Sequence, residues 1–87
     1  MSDKPVIVKG IVVNVTTEDF DDIEVLELLA EVEENGTKLV ALLKKLFGNE
    51  KYQEIKDKLR DKETGKTKTS EIMEWFREVS EKVGAGN

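Results

Sequence analysis

The sequence predicts an α+β fold that is mainly α, with a short N-terminal β segment followed by a compact four-helix domain. Seven of the ten residues in the segment 6–15 are Val or Ile, and β-branched residues favour strands. Beyond this segment, apolar residues recur at spacings of three and four, which is typical of amphipathic helices. The 87 residues are expected to form one domain with a thin core, with helices within residues 19–83 and a flexible tail at 84–87.

The β segment is divided by Gly10, and two arrangements fit this division. The segment is either a tight hairpin or a single strand with a bulge at Gly10. Lys9-Gly10 is not a preferred two-residue turn, so the bulged strand is slightly favoured. Because an isolated pair of strands is only marginally stable in water, the segment must cover the helices or pair with another chain.

The first helix is expected from about Asp19 to Glu34. Thr16, Thr17 and the acidic residues that follow suit a helix N-terminus, where hydroxyls and carboxylates accept hydrogen bonds from free backbone N–H groups. On this helix one narrow ridge carries four glutamates, Glu24, Glu27, Glu31 and Glu34. Apolar residues occupy the rest of the circumference, which predicts a helix contacted from more than one side.

The second helix is expected at residues 38–47, between two glycine-containing breaks. Asn35-Gly36 suits a left-handed stop for the first helix, and Thr37 suits the N-cap of the second. The apolar residues of the second helix lie on one side and Lys38, Lys44 and Lys45 on the other. These lysines could complement the glutamate ridge.

The apolar stripes of the last two helices are narrower than those of the first two. A surface helix is expected at residues 50–61, then a polar loop at 62–68. Thr69 or Ser70 is expected to cap the final helix, whose apolar stripe comprises Ile72, Phe76, Val79 and Val83. The first two helices are expected to form the centre, with the last two laid across them.

Composition argues against several classes of function. The chain contains neither His nor Cys, so the commonest general base, metal ligand and thiol nucleophile are absent. We therefore predict no catalytic residue, no cofactor and no metal. The net charge of −5 and pI near 4.8 oppose binding to phosphate backbones, and no segment suits a signal peptide or membrane span. A cytoplasmic protein that binds proteins is expected, without nucleic acid or membrane partners.

One stretch of the sequence resembles a known family. An acidic start with a Leu-Leu-Ala-Glu centre occupies residues 22–34, the junction Leu-Phe-Gly-Asn-Glu-Lys-Tyr occupies 46–52, and Leu-Arg-Asp ends at Asp61. With the polar loop and amphipathic last helix, residues 19–83 resemble the tail assembly chaperones of long-tailed, siphovirus-type bacteriophages and prophages. The N-terminal Val/Ile-rich segment is not part of this pattern.

The resemblance implies a small helical protein of the host bacterial cytoplasm. Such a chaperone binds the phage tape measure protein, with other tail proteins as further candidate partners, and assists packaging of the tape measure protein into the growing tail. It is often also made in a longer frameshifted form. The resemblance brings no catalytic residues. The alternative is a small cytoplasmic regulatory or adaptor protein that binds a host protein through an exposed apolar helix surface.

Candidate protein-binding residues fall in two groups. Trp75 and Met73 flank the stripe of the last helix and would suit an interface if half-exposed; equally, Trp75 could close the edge of the core. Glu24, Glu27, Glu31 and Glu34 could recognise a basic partner, although a solvated face is the more ordinary interpretation. The apolar surplus on the first two helices also predicts a homo-oligomer.

Overall fold

A computed structural model describes residues 5–85, and in this range a two-stranded antiparallel sheet precedes five helices. The elements are β1 Val6–Val8, β2 Ile11–Val13, α1 Thr17–Phe20, α2 Ile23–Val32, α3 Thr37–Phe47, α4 Asn49–Lys58 and α5 Thr69–Ala85. The predicted fold class, mainly helical with a short N-terminal β segment, is confirmed.

The β segment is a hairpin, so the preference for a bulged strand is wrong. Val8 lies opposite Ile11, which leaves Lys9 and Gly10 as a two-residue turn with φ angles of 54° and 79°. Positive φ at both positions is what a type I′ turn requires. Lys9 is uncommon in this conformation, but its Nζ donates a hydrogen bond to Glu74 Oε1 at 3.0 Å. A contact with a distant helix therefore supports a turn that local preference disfavours.

The predicted first helix is divided into α1 and α2. The break lies at Asp21 and Asp22, where Asp22 has extended backbone angles and its carboxylate accepts a hydrogen bond from the Glu24 N–H at 2.8 Å. A short acidic side chain competes well as an N-cap and poorly inside a helix. Because α2 then ends at Val32, Glu34 lies beyond the helix.

Asn35 takes the capping role predicted for Thr37. Its Oδ1 accepts hydrogen bonds from the N–H of Thr37 at 3.1 Å and from its hydroxyl at 2.7 Å. Gly36 has right-handed angles, with φ −58°, so the predicted left-handed stop is also wrong. The amide side chain satisfies a free N–H of α3 without a reversal of backbone hand.

A glycine corner joins α3 to α4. Gly48 has φ 87° and ψ 164°, a region that is essentially restricted to glycine. Gly48 is both the C-cap of α3 and the N-cap of α4. Helix α4 ends at Lys58, earlier than the predicted Asp61. Tyr52 and Ile55 of α4 are buried, which places the inner side of this helix against the core.

The final helix packs mainly on the hairpin, and α2 packs mainly on α3. The predicted arrangement, with the last two helices laid across the first two, is therefore wrong for α5. The arrangement differs because the Val and Ile side chains on the inner face of the hairpin need an apolar cover, and α5 provides it. The core joins both layers and comprises Val8, Ile11, Val13, Val15, Val25, Val32, Leu39, Leu42, Leu43, Tyr52, Ile55, Ile72, Trp75, Phe76 and Val79.

Both ends of α5 differ from expectation. The helix begins at Thr69, so Thr69 and Ser70 lie in its first turn instead of capping it. Gly84 and Ala85 belong to the helix, so the predicted flexible tail is wrong at these two residues. Gly86 and Asn87, the rest of that tail, lie outside the described residues.

Candidate protein-binding surface

Helix α2 is apolar on two sides. Its inner side contributes four buried or half-buried residues to the core, namely Val25, Leu28, Leu29 and Val32. On the opposite side lie Ile23, which is 69% exposed, Leu26, which is 49% exposed, and the exposed Ala30. These three residues, at spacings of three and four, form one stripe along the helix. We name them the outer α2 face.

Two large apolar side chains on adjacent turns of one helix are more informative than scattered exposed ones. Single exposed apolar residues are ordinary on protein surfaces, whereas contiguous apolar surface marks sites of association. Burial of an Ile or Leu side chain stabilises by about 1.5 to 3 kcal/mol. Much of that free energy is still available at Ile23 and Leu26 for association with another molecule.

Ion pairs attach one flank of α2 to α3. Lys45 Nζ lies 2.9 Å from Glu24 Oε1 and 3.8 Å from Asp22 Oδ2, and Lys38 Nζ lies 3.5 Å from Glu31 Oε1. The hydrogen bond to Glu24 and the charges of Glu24 and Asp22 raise the pKa of Lys45. Exposed ion pairs contribute little stability, so these three pairs mark the flank of α2 that faces α3 without fixing it.

The four glutamates therefore do not act as one ridge. Glu24 and Glu31 are paired with the lysines of α3, and Glu34 lies in the turn after α2. Glu27 is exposed, lies four residues after Ile23 and, within residues 5–85, takes part in no ion pair. Its carboxylate borders the outer α2 face, which is thus an apolar stripe with negative charge beside it.

Of the two alternatives for Trp75, the structure has the one in which the side chain closes the core. Its side chain has 0% exposure, its Nε1 donates a hydrogen bond to the Val8 carbonyl oxygen at 3.1 Å, and its ring meets the edge of the Phe47 ring at 5.6 Å between centroids. Met73 is half-buried against the core. The hairpin covers this side of α5, so Trp75 closes the core and cannot serve as a free interface anchor.

The sequence did contain a signal for the outer α2 face. The apolar arc of the predicted first helix was too wide for one buried side, and the exposed Ile23 and Leu26 confirm that the core does not cover all of it. Helix α3 leaves less apolar surface uncovered by the core, since Val40 is 38% exposed while Leu39, Leu42 and Leu43 are buried. The periodicity alone did not reveal which of the apolar residues of α2 would face outward.

Within the described range 5–85, no group of three acidic side chains converges in a way that could hold a metal ion. Among the helices in that range, none has the length and apolar character needed to cross a membrane. Comparisons of the chain with protein-family models, with curated proteins and with solved structures give no match in any of the three.

Proposed function

We propose that this chain is a non-enzymatic tail assembly chaperone of a long-tailed phage or prophage that binds the tape measure protein in the bacterial cytoplasm. The observation that carries the proposal is the outer α2 face, where Ile23 and Leu26 expose apolar surface on adjacent turns. The identity of the partner rests on the sequence resemblance. The mode of binding rests on the geometry of α2.

The residues that carry the resemblance have architectural roles. Gly48 forms the corner between α3 and α4, Phe47 packs edge-on against Trp75, and Tyr52 is buried. This junction therefore supports a shared helical scaffold, on which the outer α2 face lies outside the core. Binding is proposed at the part of the scaffold that the core does not use.

The outer α2 face fits an amphipathic helix with a basic flank. An apolar stripe at spacings of three and four accommodates the apolar seam of a second helix, and Glu27 attracts Lys or Arg beside that seam. Charge at the rim of an interface mainly steers association and is weakened by salt. A chaperone that covers such a seam would keep a long helical partner from associating with itself until the tail grows around it.

The experiment is co-expression with the tape measure protein encoded in the same tail gene cluster, with the soluble fraction of that protein as the readout. The wild-type chain is expected to keep the tape measure protein in solution. The double variant Ile23→Ser, Leu26→Ser should lose this effect and retain its circular dichroism spectrum, since both side chains are exposed.

Val40→Ser is the matched control. Val40 is an exposed apolar residue two positions after Lys38, so it points about 200 degrees round α3 from the flank that faces α2. The Val40→Ser variant should keep the tape measure protein in solution as well as the wild type does. If the tape measure protein aggregates equally with and without the wild-type chain, the chaperone proposal fails and the regulatory or adaptor function replaces it. If the double variant works as well as the wild type, the outer α2 face is not the site.

A further inference from the structure

The two edges of the β1–β2 hairpin differ in how far other residues cover their outward backbone groups. Val8 and Ile11 flank a two-residue turn and exchange backbone hydrogen bonds, so the next pair, Ile7 and Val12, directs its N–H and C=O groups away from the hairpin. The Ile7 groups point from the β1 edge and the Val12 groups from the β2 edge. Each edge could in principle accept another strand.

The β1 edge carries several features that oppose strand addition. Pro5 immediately precedes the strand. Lys82 of α5 donates a hydrogen bond from Nζ to the Ile7 carbonyl oxygen at 2.8 Å, which occupies the outward acceptor. Lys9, at the end of β1, is held by Glu74 at 3.0 Å. Proline, lysine and a covering element are common means of protecting an edge strand.

The β2 edge is protected only at its start, where Lys58 of α4 donates a hydrogen bond from Nζ to the Gly10 carbonyl oxygen at 3.1 Å. Residues 10–17 contain no charged residue and no proline. The alternation of buried and exposed side chains continues past β2 to Val15, and Thr16 has extended angles of φ −124° and ψ 172°. Val12 and Asn14 are exposed, and no residue in the range 5–85 forms a hydrogen bond with their backbone groups.

We infer that two copies of this chain associate through the outer edge of β2, in antiparallel register about a two-fold axis. With Val13 of each copy at the axis, Val12 faces Asn14 of the second copy, and both copies use their outward N–H and C=O groups. The two hairpins then form one four-stranded sheet. Three or more strands are far more stable in water than an isolated pair.

The second copy fits this edge better than an unrelated strand does, because antiparallel pairing is self-complementary. The two-fold axis places the same neutral residues on both sides, so no like charges meet along the strands. It also brings the start of one strand, with Lys9, beside the end of the other, where Glu18 is exposed. Opposite charges therefore lie at both ends of the new pair. The outer side chains of Ile7 and Val12 continue across the enlarged sheet.

This dimer is independent of the proposed function, since the β2 edge and the outer α2 face are different surfaces. The test is sedimentation equilibrium of the full chain over a wide concentration range. The wild type is expected to be a dimer that dissociates on dilution. Asn14→Pro removes an outward N–H that the hairpin itself does not use, and it should weaken dimerisation by about tenfold or more, equivalent to about 1.4 kcal/mol.

Ile7→Lys is the matched control, because it removes apolar surface from the same face of the sheet at the other edge. It should dimerise within a few-fold of the wild type. If Ile7→Lys dissociates the dimer as strongly as Asn14→Pro does, the two copies stack face to face and the edge pairing is wrong. Leu26→Lys tests the outer α2 face in the same way; loss of the dimer in this variant alone would also overturn the inference.

Hydrogen exchange of the wild type tests the pairing of the β2 edges even if Asn14→Pro fails to fold. The backbone amides of Val12 and Asn14 should become more protected as concentration rises, while the Ile7 amide should not change. A chain that sediments as a monomer at every concentration, or amides at Val12 and Asn14 whose exchange does not depend on concentration, would refute the dimer.

Discussion

The indole Nε1 of Trp75 donates a hydrogen bond to the carbonyl oxygen of Val8 at 3.1 Å, across 67 positions of the chain. This bond joins the centre of α5 to the end of β1, and the indole ring is fully buried where the hairpin meets the helices. A buried indole needs a partner for its N–H. Val8 supplies that partner, so the hairpin and the last helix depend on each other.

Trp75→Ala is therefore expected to destabilise the whole domain. Loss of a buried Trp side chain costs about 3 to 5 kcal/mol, a large part of the roughly 5 to 15 kcal/mol available to a small protein. Trp75→Phe should cost less, because it keeps most of the ring and loses the hydrogen bond. Urea denaturation followed by circular dichroism measures both variants. A Trp75→Ala variant as stable as the wild type would contradict the burial of the indole.

Leu43→Ala should cost more than Leu29→Ala. Leu43 of α3 is fully buried, whereas Leu29 of α2 is only partly buried at the edge of the core. Removal of a fully buried Leu side chain costs about 2 to 5 kcal/mol, and the cost falls where solvent or neighbours can fill the space. The comparison requires the free energies of unfolding of the two variants under identical conditions. The reverse order would mean that α2 is rotated from the orientation described.

Gly48→Ala should destabilise the protein, and Gly84→Ala should not. An added Cβ meets nothing within 4 Å at either position, so steric crowding does not distinguish them. Gly48 has φ 87°, and this strained region costs a residue with a side chain about 1 to 3 kcal/mol. Gly84 lies inside α5, where alanine is preferred by up to about 1 kcal/mol. Thermal denaturation should give midpoints that move in opposite directions; equal midpoints would contradict the assigned role of Gly48.

The Lys9 contact to α5 should make stability fall at alkaline pH. The hydrogen bond that Lys9 donates to Glu74 and the nearby charges of Glu74, Glu71 and Glu78 raise the pKa of Lys9 above its ordinary value of 10.5. A raised pKa in the folded state means that the charged lysine stabilises the fold fully below 10.5 and that this contribution disappears as pH rises through the folded value. Lys9→Met should be less stable than the wild type at neutral pH, and the difference should shrink above 10.5. A difference that grows with pH would contradict the ion pair.

The apolar periodicity of the sequence was sufficient to predict which sides of α3, α4 and α5 face the core. In each, the apolar residues occupy one side, so a helix has one way to bury them, and Leu39, Leu42, Ile55 and Val79 are buried as the spacing predicts. The same reasoning indicated that α2 is apolar on too many sides for one core. These results follow from local geometry, because residues at spacings of three and four share a side of any helix.

Only the tertiary structure decided the orientation of α2, the burial of Trp75 and the hairpin turn at Lys9. Each depends on contacts with other elements: α3 covers the inner side of α2, Val8 accepts the bond from Trp75, and Glu74 holds Lys9. Local preferences at these positions differ between alternatives by about 1 kcal/mol or less. Burial of an aromatic side chain or of several apolar side chains outweighs such a difference, so contacts between the elements determine the outcome.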